Sequence, residues 1–327
     1  MSHLTYLEAS VVGLIQGVTE LFPISSLGHN VLIPALIGGS WARDLSVAKP
    51  ESPYLAFIVG LHVATAIALF AYFWRDWIRI IRGFCTSVWQ RRVATTEQKL
   101  AWMIIIATIP VGLVGLVFEH EFRVLFGKPI RAAIFLVING LILYAGERFR
   151  TRASRNADDE LAADREHSAR QAEPGVPLHA SGQRAARQLE LSRAVQADQR
   201  LAGIGYLQAL VIGSSQVLAL LAGISRDGVT MVAGMARGLS REDSARFAFL
   251  LATPVILAAG VLKVPDLTGP LGNGIHGQIL VGSILSGIGA YVSVRYLVKY
   301  FQTRTLTPFA IYCVAFGVAS ILYLSVK

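Results

Sequence analysis

Residues 11–37 read VVGLIQGVTELFPISSLGHNVLIPALI, an apolar stretch interrupted at its centre by Pro23, Ser25, Ser26, Gly28 and His29. A transmembrane helix needs about 20 consecutive apolar residues, so neither half can cross a bilayer alone. Non-helical backbone at membrane depth persists only where protein covers it or a wet cavity runs beside it. The stretch is therefore read as a re-entrant helical hairpin. A second stretch, 207–235, reads LQALVIGSSQVLALLAGISRDGVTMVAGM and is broken in the same way at Gly223-Ile224-Ser225-Arg226-Asp227-Gly228. The two hairpins are expected over about 8–38 and 205–238.

Outward from these hairpins the chain is a membrane protein by composition. Of its 327 residues 54% are hydrophobic and 16% charged, with a mean hydropathy of +0.53. That leaves too little polar surface to cover a soluble globule. Uninterrupted apolar runs lie at Tyr54–Trp74, Leu100–Phe118, Ile130–Gly146, Phe247–Leu262, Ile279–Val298 and Pro308–Leu324. The expected fold is thus all-α, with about six transmembrane helices and two re-entrant hairpins in a single membrane domain over 1–327. No basic region, short apolar core and cleavage site open the sequence, so the first helix is expected to be retained. Cys85 and Cys313 support neither a disulfide framework nor a cysteine metal site. A net charge of +9 does not imply a nucleic-acid partner, because the arginines flank apolar spans rather than forming a basic face interleaved with aromatics.

Between Glu147 and Arg200 the sequence alternates Arg, Asp, Glu, Ala and Gln with almost no aromatic residue. It is read as a polar, partly helical cytoplasmic insertion without chemistry of its own. Arg75, Arg79, Arg82, Arg91, Arg92 and Lys99 follow the first span, Arg148, Arg150, Arg152 and Arg155 the third, and Arg295, Lys299 and Arg304 lie near the last connection. Positive residues collect on the cytoplasmic side, so all three regions are placed there and both termini outside. Sliding the sequence by about 200 places superposes the hairpins, Gln16 on Gln216, Leu21 on Leu221, Ile24 on Ile224, Ser25 on Ser225 and Gly28 on Gly228. Three spans separate the copies, and this odd number inverts one relative to the other. Broken helices of inverted repeats meet near the midplane, where they build ion or substrate sites.

The chemistry is sought in these two loops. Gln16 and Glu20, four residues apart, share one helix face, and a carboxylate within apolar sequence marks a cavity, a cation or a proton path. After Pro23, the hydroxyls of Ser25 and Ser26 and the backbone around Gly28 converge where a new helix starts, an arrangement that suits an anion, although a serine there also serves as a cap. His29 beside them can act as base, acid or nucleophile. The second loop supplies Gly223, Ser225, Arg226, Gly228 and Thr230, and a planar guanidinium suits a phosphate because it donates two parallel charge-assisted bonds.

The first loop, Gln16 to Glu20 followed by Pro23-Ile24-Ser25-Ser26-Leu27-Gly28-His29, resembles the Glu/Gln-x-x-x-Glu and Pro-x-Ser-Ser-x-Gly-His region of the undecaprenyl-diphosphate phosphatases, the bacterial bacitracin-resistance protein family. The second, Gly223 to Thr230, resembles that family's Pro-Gly-x-Ser-Arg-Ser-x-x-Thr motif. Two positions depart from it: Ala222 stands for the proline and Asp227 for the second serine. A carboxylate beside a phosphate site repels the substrate unless it binds a cation or pairs with Arg226.

The resemblance implies hydrolysis of a polyprenyl diphosphate to the monophosphate with a divalent cation, Mg²⁺ or Ca²⁺. Glu20, Ser26, His29 and Arg226 would be catalytic. Gln16, Ser25, Ser225, Thr230, Gly223 and Gly228 would bind substrate, and Glu20, with Gln16 and Asp227 as further candidates, would hold the metal. Either Ser26 activated by His29, or His29 itself, would attack phosphorus. It further implies recycling of the lipid carrier for cell-wall synthesis at the bacterial plasma membrane, with the site open to the outer face and membrane lipid around it. Oligomeric state, a homodimer included, is left open. The competing reading is a lipid or ion transporter, which uses the same inverted repeats.

Overall fold

The computed structural model describes residues 4–45, 53–126, 128–168, 195–269 and 274–326, and every regular element among them is a helix. The first hairpin is α1 (Tyr6–Thr19) and α2 (Ser26–Ile37), followed by the short α3 (Gly39–Asp44). Thr5 and Glu8 open α1 with reciprocal hydrogen bonds, the Thr5 hydroxyl accepting from the Glu8 N–H and the Glu8 carboxylate from the Thr5 N–H. Arms of 14 and 12 residues are about 21 and 18 Å long at 1.5 Å per residue, short of the ~30 Å hydrocarbon core.

Next come α4 (Pro53–Tyr72), α5 (Trp74–Gln90), α6 (Thr96–Phe126) and α7 (Pro129–Ser168). After α8 (Val195–Gly203) the second hairpin is made by α9 (Tyr206–Ser214), a 3₁₀ segment (Ser215–Leu220) and α10 (Arg226–Ala236). The chain ends with α11 (Arg241–Thr268), α12 (His276–Thr303) and α13 (Thr307–Val326). Among the described residues five helical segments are long and apolar enough to cross a membrane: Thr96–Phe118, Pro129–Arg152, Arg241–Leu262, His276–Thr303 and Thr307–Val326. The number rises to seven if each of the bent pairs α4–α5 and α8–α9 is one crossing. The protein is therefore multi-pass.

Two stretches expected as connections are helical. At Phe73 the chain bends by 86° and continues as α5. Trp77, Ile80, Gly83 and Ser87 recur at helical spacing and bury one face of α5, with Gly83 against the backbone of Glu97 and Gln98 at the start of α6. The polar insertion begins as an unbroken extension of α7 to Ser168, as expected of a segment rich in Ala, Arg, Glu and Leu. Its residues 169–194 lie outside the described residues.

Glycines let the helices approach closely, as membrane packing requires when lipid is as apolar as leucine. On α1 a Cβ at Gly13 or Gly17 would overlap the backbone of Gly282 or Ser286 on α12. Gly213 on α9 lies in the same way on Ala107 of α6. The first arm of each hairpin thus packs on the middle long helix of the other repeat. The third helices, α7 and α13, meet through Gly140 and Gly317. This exchange is the structural form of the inverted repeat seen in the sequence.

Of the basic residues placed on one side by sequence, Arg79 enters a network of ion pairs with arginines and acids of other helices. Arg246 reaches Asp76 at 3.0 Å and Asp198 at 2.7 Å, and Arg79 reaches Asp198 at 2.9 Å. Arg200 holds Asp243 through two bonds of 2.7 and 2.8 Å. Arg241 holds Glu147, whose carboxylate also accepts from the Leu306 N–H at 3.1 Å. These pairs tie the α4–α5 bend, α8, the α10–α11 turn and the α12–α13 turn together.

Candidate active site

The two loops meet in the middle of the bundle. Ser25 caps α2 by accepting from the Gly28 N–H at 3.2 Å, and the same hydroxyl accepts from the Gly223 N–H of the second loop, also at 3.2 Å. That double duty holds Ser25 at φ +67°, an uncommon conformation for a residue with a side chain. Gly223, at φ +113°, has no room for a Cβ, which would overlap the carbonyl of Ala132 on α7. Ser225 caps α10 by accepting from the Gly228 N–H at 3.1 Å. The expectation that Ser25 and Ser225 offer their hydroxyls to a substrate meets this capping role instead. Thr230 is likewise engaged, donating to the Arg226 carbonyl at 2.7 Å.

Asn139 on α7 clamps both loops. Its Nδ2 donates to the Pro23 carbonyl and its Oδ1 accepts from the Ser225 N–H, both at 3.0 Å. Sequence reasoning passed over it, although an amide inside an apolar span is a signal of this kind. Asn139→Leu would leave two buried backbone groups unpaired, at about 1–3 kcal/mol each. The variant is expected to show a thermal midpoint in detergent several degrees lower and weakened phosphate release. An unchanged midpoint would remove the clamp.

Glu20 is the centre of the cluster. Its Oε2 accepts from Gln16 Nε2 at 2.8 Å and from the Ser26 hydroxyl, and its Oε1 accepts from Arg226 Nη2 at 3.0 Å across 206 positions of sequence. Asn30 donates to Gln16 Oε1 at 2.6 Å and so fixes which end of that amide faces the carboxylate. His62 of α4 brings Nε2 to 3.5 Å from Glu20 Oε2. His62 and Asn30 were missed in the sequence for the same reason as Asn139, a polar side chain taken as part of an apolar run. Asp227 accepts from Arg226 Nε at 3.4 Å, the pairing expected if its extra carboxylate is to be tolerated.

His29 lies apart from this cluster. Nδ1 bonds the Ser25 carbonyl and Nε2 the Tyr312 hydroxyl, both at 2.7 Å, and the ring stacks on Tyr312 and Phe316 with centroids 5.7 and 5.3 Å away. A ring nitrogen bonded to a carbonyl carries the proton, which leaves Nε2 to accept from Tyr312. The expected pairing of Ser26 with His29 is therefore corrected: the Ser26 hydroxyl donates to Glu20, and both nitrogens of His29 are occupied elsewhere.

Among the described residues no three of His, Cys, Asp and Glu gather as a metal cage. The donor set still fits a hard cation bound partly by substrate, because Glu20 and Asp227 flank one guanidinium and Asp227 Oδ2 is buried with no hydrogen-bond partner among the described residues. Mg²⁺ is commonly held by one or two carboxylates together with phosphate oxygens.

A family profile described as bacitracin resistance protein BacA matches residues 9–319. The chain is similar over its whole length to a protein named undecaprenyl-diphosphatase from Mycolicibacterium paratuberculosis, with 56% identity over 326 residues covering 100% of this chain and 99% of that one. A protein of the same name from Mycobacterium avium is 55% identical with the same coverage. Undecaprenyl-diphosphatase 2 of Frankia alni is 54% identical over 333 residues, covering 97% of each chain.

Proposed function

The chain belongs to the bacitracin resistance protein BacA family, and from that membership we propose that it hydrolyses undecaprenyl diphosphate, or a related polyprenyl diphosphate, to the monophosphate and inorganic phosphate. This reaction recycles the lipid carrier of cell-wall synthesis. The observation that carries the reading is the convergence of Glu20, Ser26 and Arg226 from two loops far apart in sequence. A guanidinium, a hydroxyl and a carboxylate at one point are the minimum for phosphoryl transfer: an anion clamp, a nucleophile and a base. Arg226 turns from Glu20 toward the terminal phosphate. Glu20, relieved of its cationic partner, becomes a better base and takes the Ser26 proton. Ser26 Oγ then bonds to phosphorus, the phosphoanhydride breaks, and the lipid monophosphate leaves with the electron pair. Water attacks the phosphoserine, giving inorganic phosphate and restoring the hydroxyl. His29 shapes this loop through Ser25 and Tyr312.

Glu20 and Asp227 would hold a divalent cation, Mg²⁺ or Ca²⁺, which would neutralise charge on the diphosphate. The arginine-rich end of the bundle faces the cytoplasm of a bacterial plasma membrane, and the first hairpin opens toward the outer face. The test is phosphate release by purified protein from polyprenyl diphosphates of several lengths, with and without divalent cation. Release that depends on Ser26 is expected. A protein that moves lipid across liposomes and releases no phosphate would overturn the reading in favour of transport.

A further inference from the structure

Gln216 has been assigned no part in the site, and its surroundings are unusual. It is 1% exposed, yet neither its Nε2 nor its Oε1 has a hydrogen-bond partner among the described residues. A buried amide left unpaired is costly, and such groups in native proteins call for an explanation. Gln216 sits in the 3₁₀ segment Ser215–Leu220, immediately before the loop that carries Ser225 and Arg226.

The inverted repeat supplies the explanation. In the first copy the Glu20 carboxylate is the acceptor for the Gln16 amide four residues before it and for the Ser26 side chain six residues after it. The equivalent positions in the second copy, 200 places on, are Gln216, Leu220 and Arg226. Both donors are retained, and the side chain at position 26 has become a guanidinium at 226. The acceptor has gone, because leucine replaces the carboxylate. Among the described residues Arg226 bonds through Nε and Nη2 and leaves Nη1 without a partner. We infer that Gln216 and Arg226 form a second oxyanion subsite, in which a phosphate oxygen takes the place that the carboxylate holds in the first copy.

The subsite rests on the hydrolase reading only for the identity of its oxyanion, which there is the second phosphate group of the lipid diphosphate. Thr230 stands 200 places after Asn30, which donates to Gln16 in the first copy, and its hydroxyl donates to the Arg226 carbonyl at 2.7 Å. A neutral amide beside a guanidinium suits this role, since it adds a donor without adding a charge that would hold the product too tightly.

The probe is inorganic pyrophosphate, titrated calorimetrically into detergent-purified wild-type protein and into Gln216→Met, which keeps the side-chain length and removes both polar atoms. Binding should weaken by about tenfold or more, and the KM for a polyprenyl diphosphate should rise more than kcat falls. The thermal midpoint of the variant without ligand should be equal or higher, because an unpaired amide has been removed from the interior. A purely structural glutamine gives the opposite pattern, a lower midpoint or a variant that does not fold, with unchanged pyrophosphate affinity where it does fold. Either of those results overturns the subsite, as does wild-type protein that binds no pyrophosphate. Pyrophosphate binding that depends on Gln216 in a protein releasing no phosphate from polyprenyl diphosphates would instead leave the subsite standing and remove the hydrolase reading.

Discussion

Arg226→Lys should cut phosphate release at least tenfold, about 1.4 kcal/mol in activation free energy, and Arg226→Ala should cut it by about 10³. The guanidinium is largely enclosed. Its side chain is 14% exposed, with Nη2 on Glu20, Nε on Asp227 and Nη1 without a hydrogen bond among the described residues. A planar fork pairs with the carboxylates in the resting site and can donate two parallel bonds to a phosphate when it turns from Glu20. A lysine ammonium is a point charge on a flexible stem and cannot hold that arrangement. Lysine preserves the net charge between Glu20 and Asp227, so the fold should survive and the loss should fall on turnover. Phosphate release from monodisperse protein decides it. Near wild-type turnover in the lysine variant would take Arg226 out of the catalytic centre and remove the main argument for a phosphatase.

The second large effect is expected for Glu20→Gln, a loss of about 10²–10⁴ in turnover, the range usual for removing a general base. Glutamine keeps the volume and one oxygen, so the contacts of Gln16 and Ser26 can be re-formed in part. What disappears is the capacity to take the Ser26 proton and to attract a cation. Asp227 remains as a carboxylate partner for Arg226, which is why this variant should fold. The measurement is phosphate release across a magnesium titration. Activity restored at high magnesium would mean that Glu20 serves the cation alone, and activity unchanged throughout would mean that it serves neither.

Much of this site could be read from residue types in order. Proline, paired serines, glycine and histidine breaking one apolar stretch, and Gly-Ile-Ser-Arg breaking another, announced loops at membrane depth. Glu20 and Arg226 stood out because ionised groups are rare there without a partner. The reading failed where a residue's role depends on what lies across from it. Ser26 and His29 lie three residues apart in α2, yet the serine meets Glu20 while the histidine meets Tyr312 of α13. His62, Asn30 and Asn139 passed as incidental polar residues because nothing local shows that α4, α2 and α7 bring them to the loops.

The sequence by itself therefore determined the helical membrane class, the two broken hairpins, their internal repetition and the residue types of the candidate site. All of these follow from the periodicity and polarity of short segments in lipid, where every backbone group must be satisfied locally. The tertiary structure alone decided which groups are paired: Ser26 with Glu20, Glu20 with Arg226, and both loops with Asn139. Those contacts span up to 206 positions. They depend on which long helices lie side by side, and that is set by glycine-to-backbone packing between the repeats, α1 on α12 and α9 on α6. Local propensity carries no information about such distant partners, because the energy that selects them exists only once the helices have met.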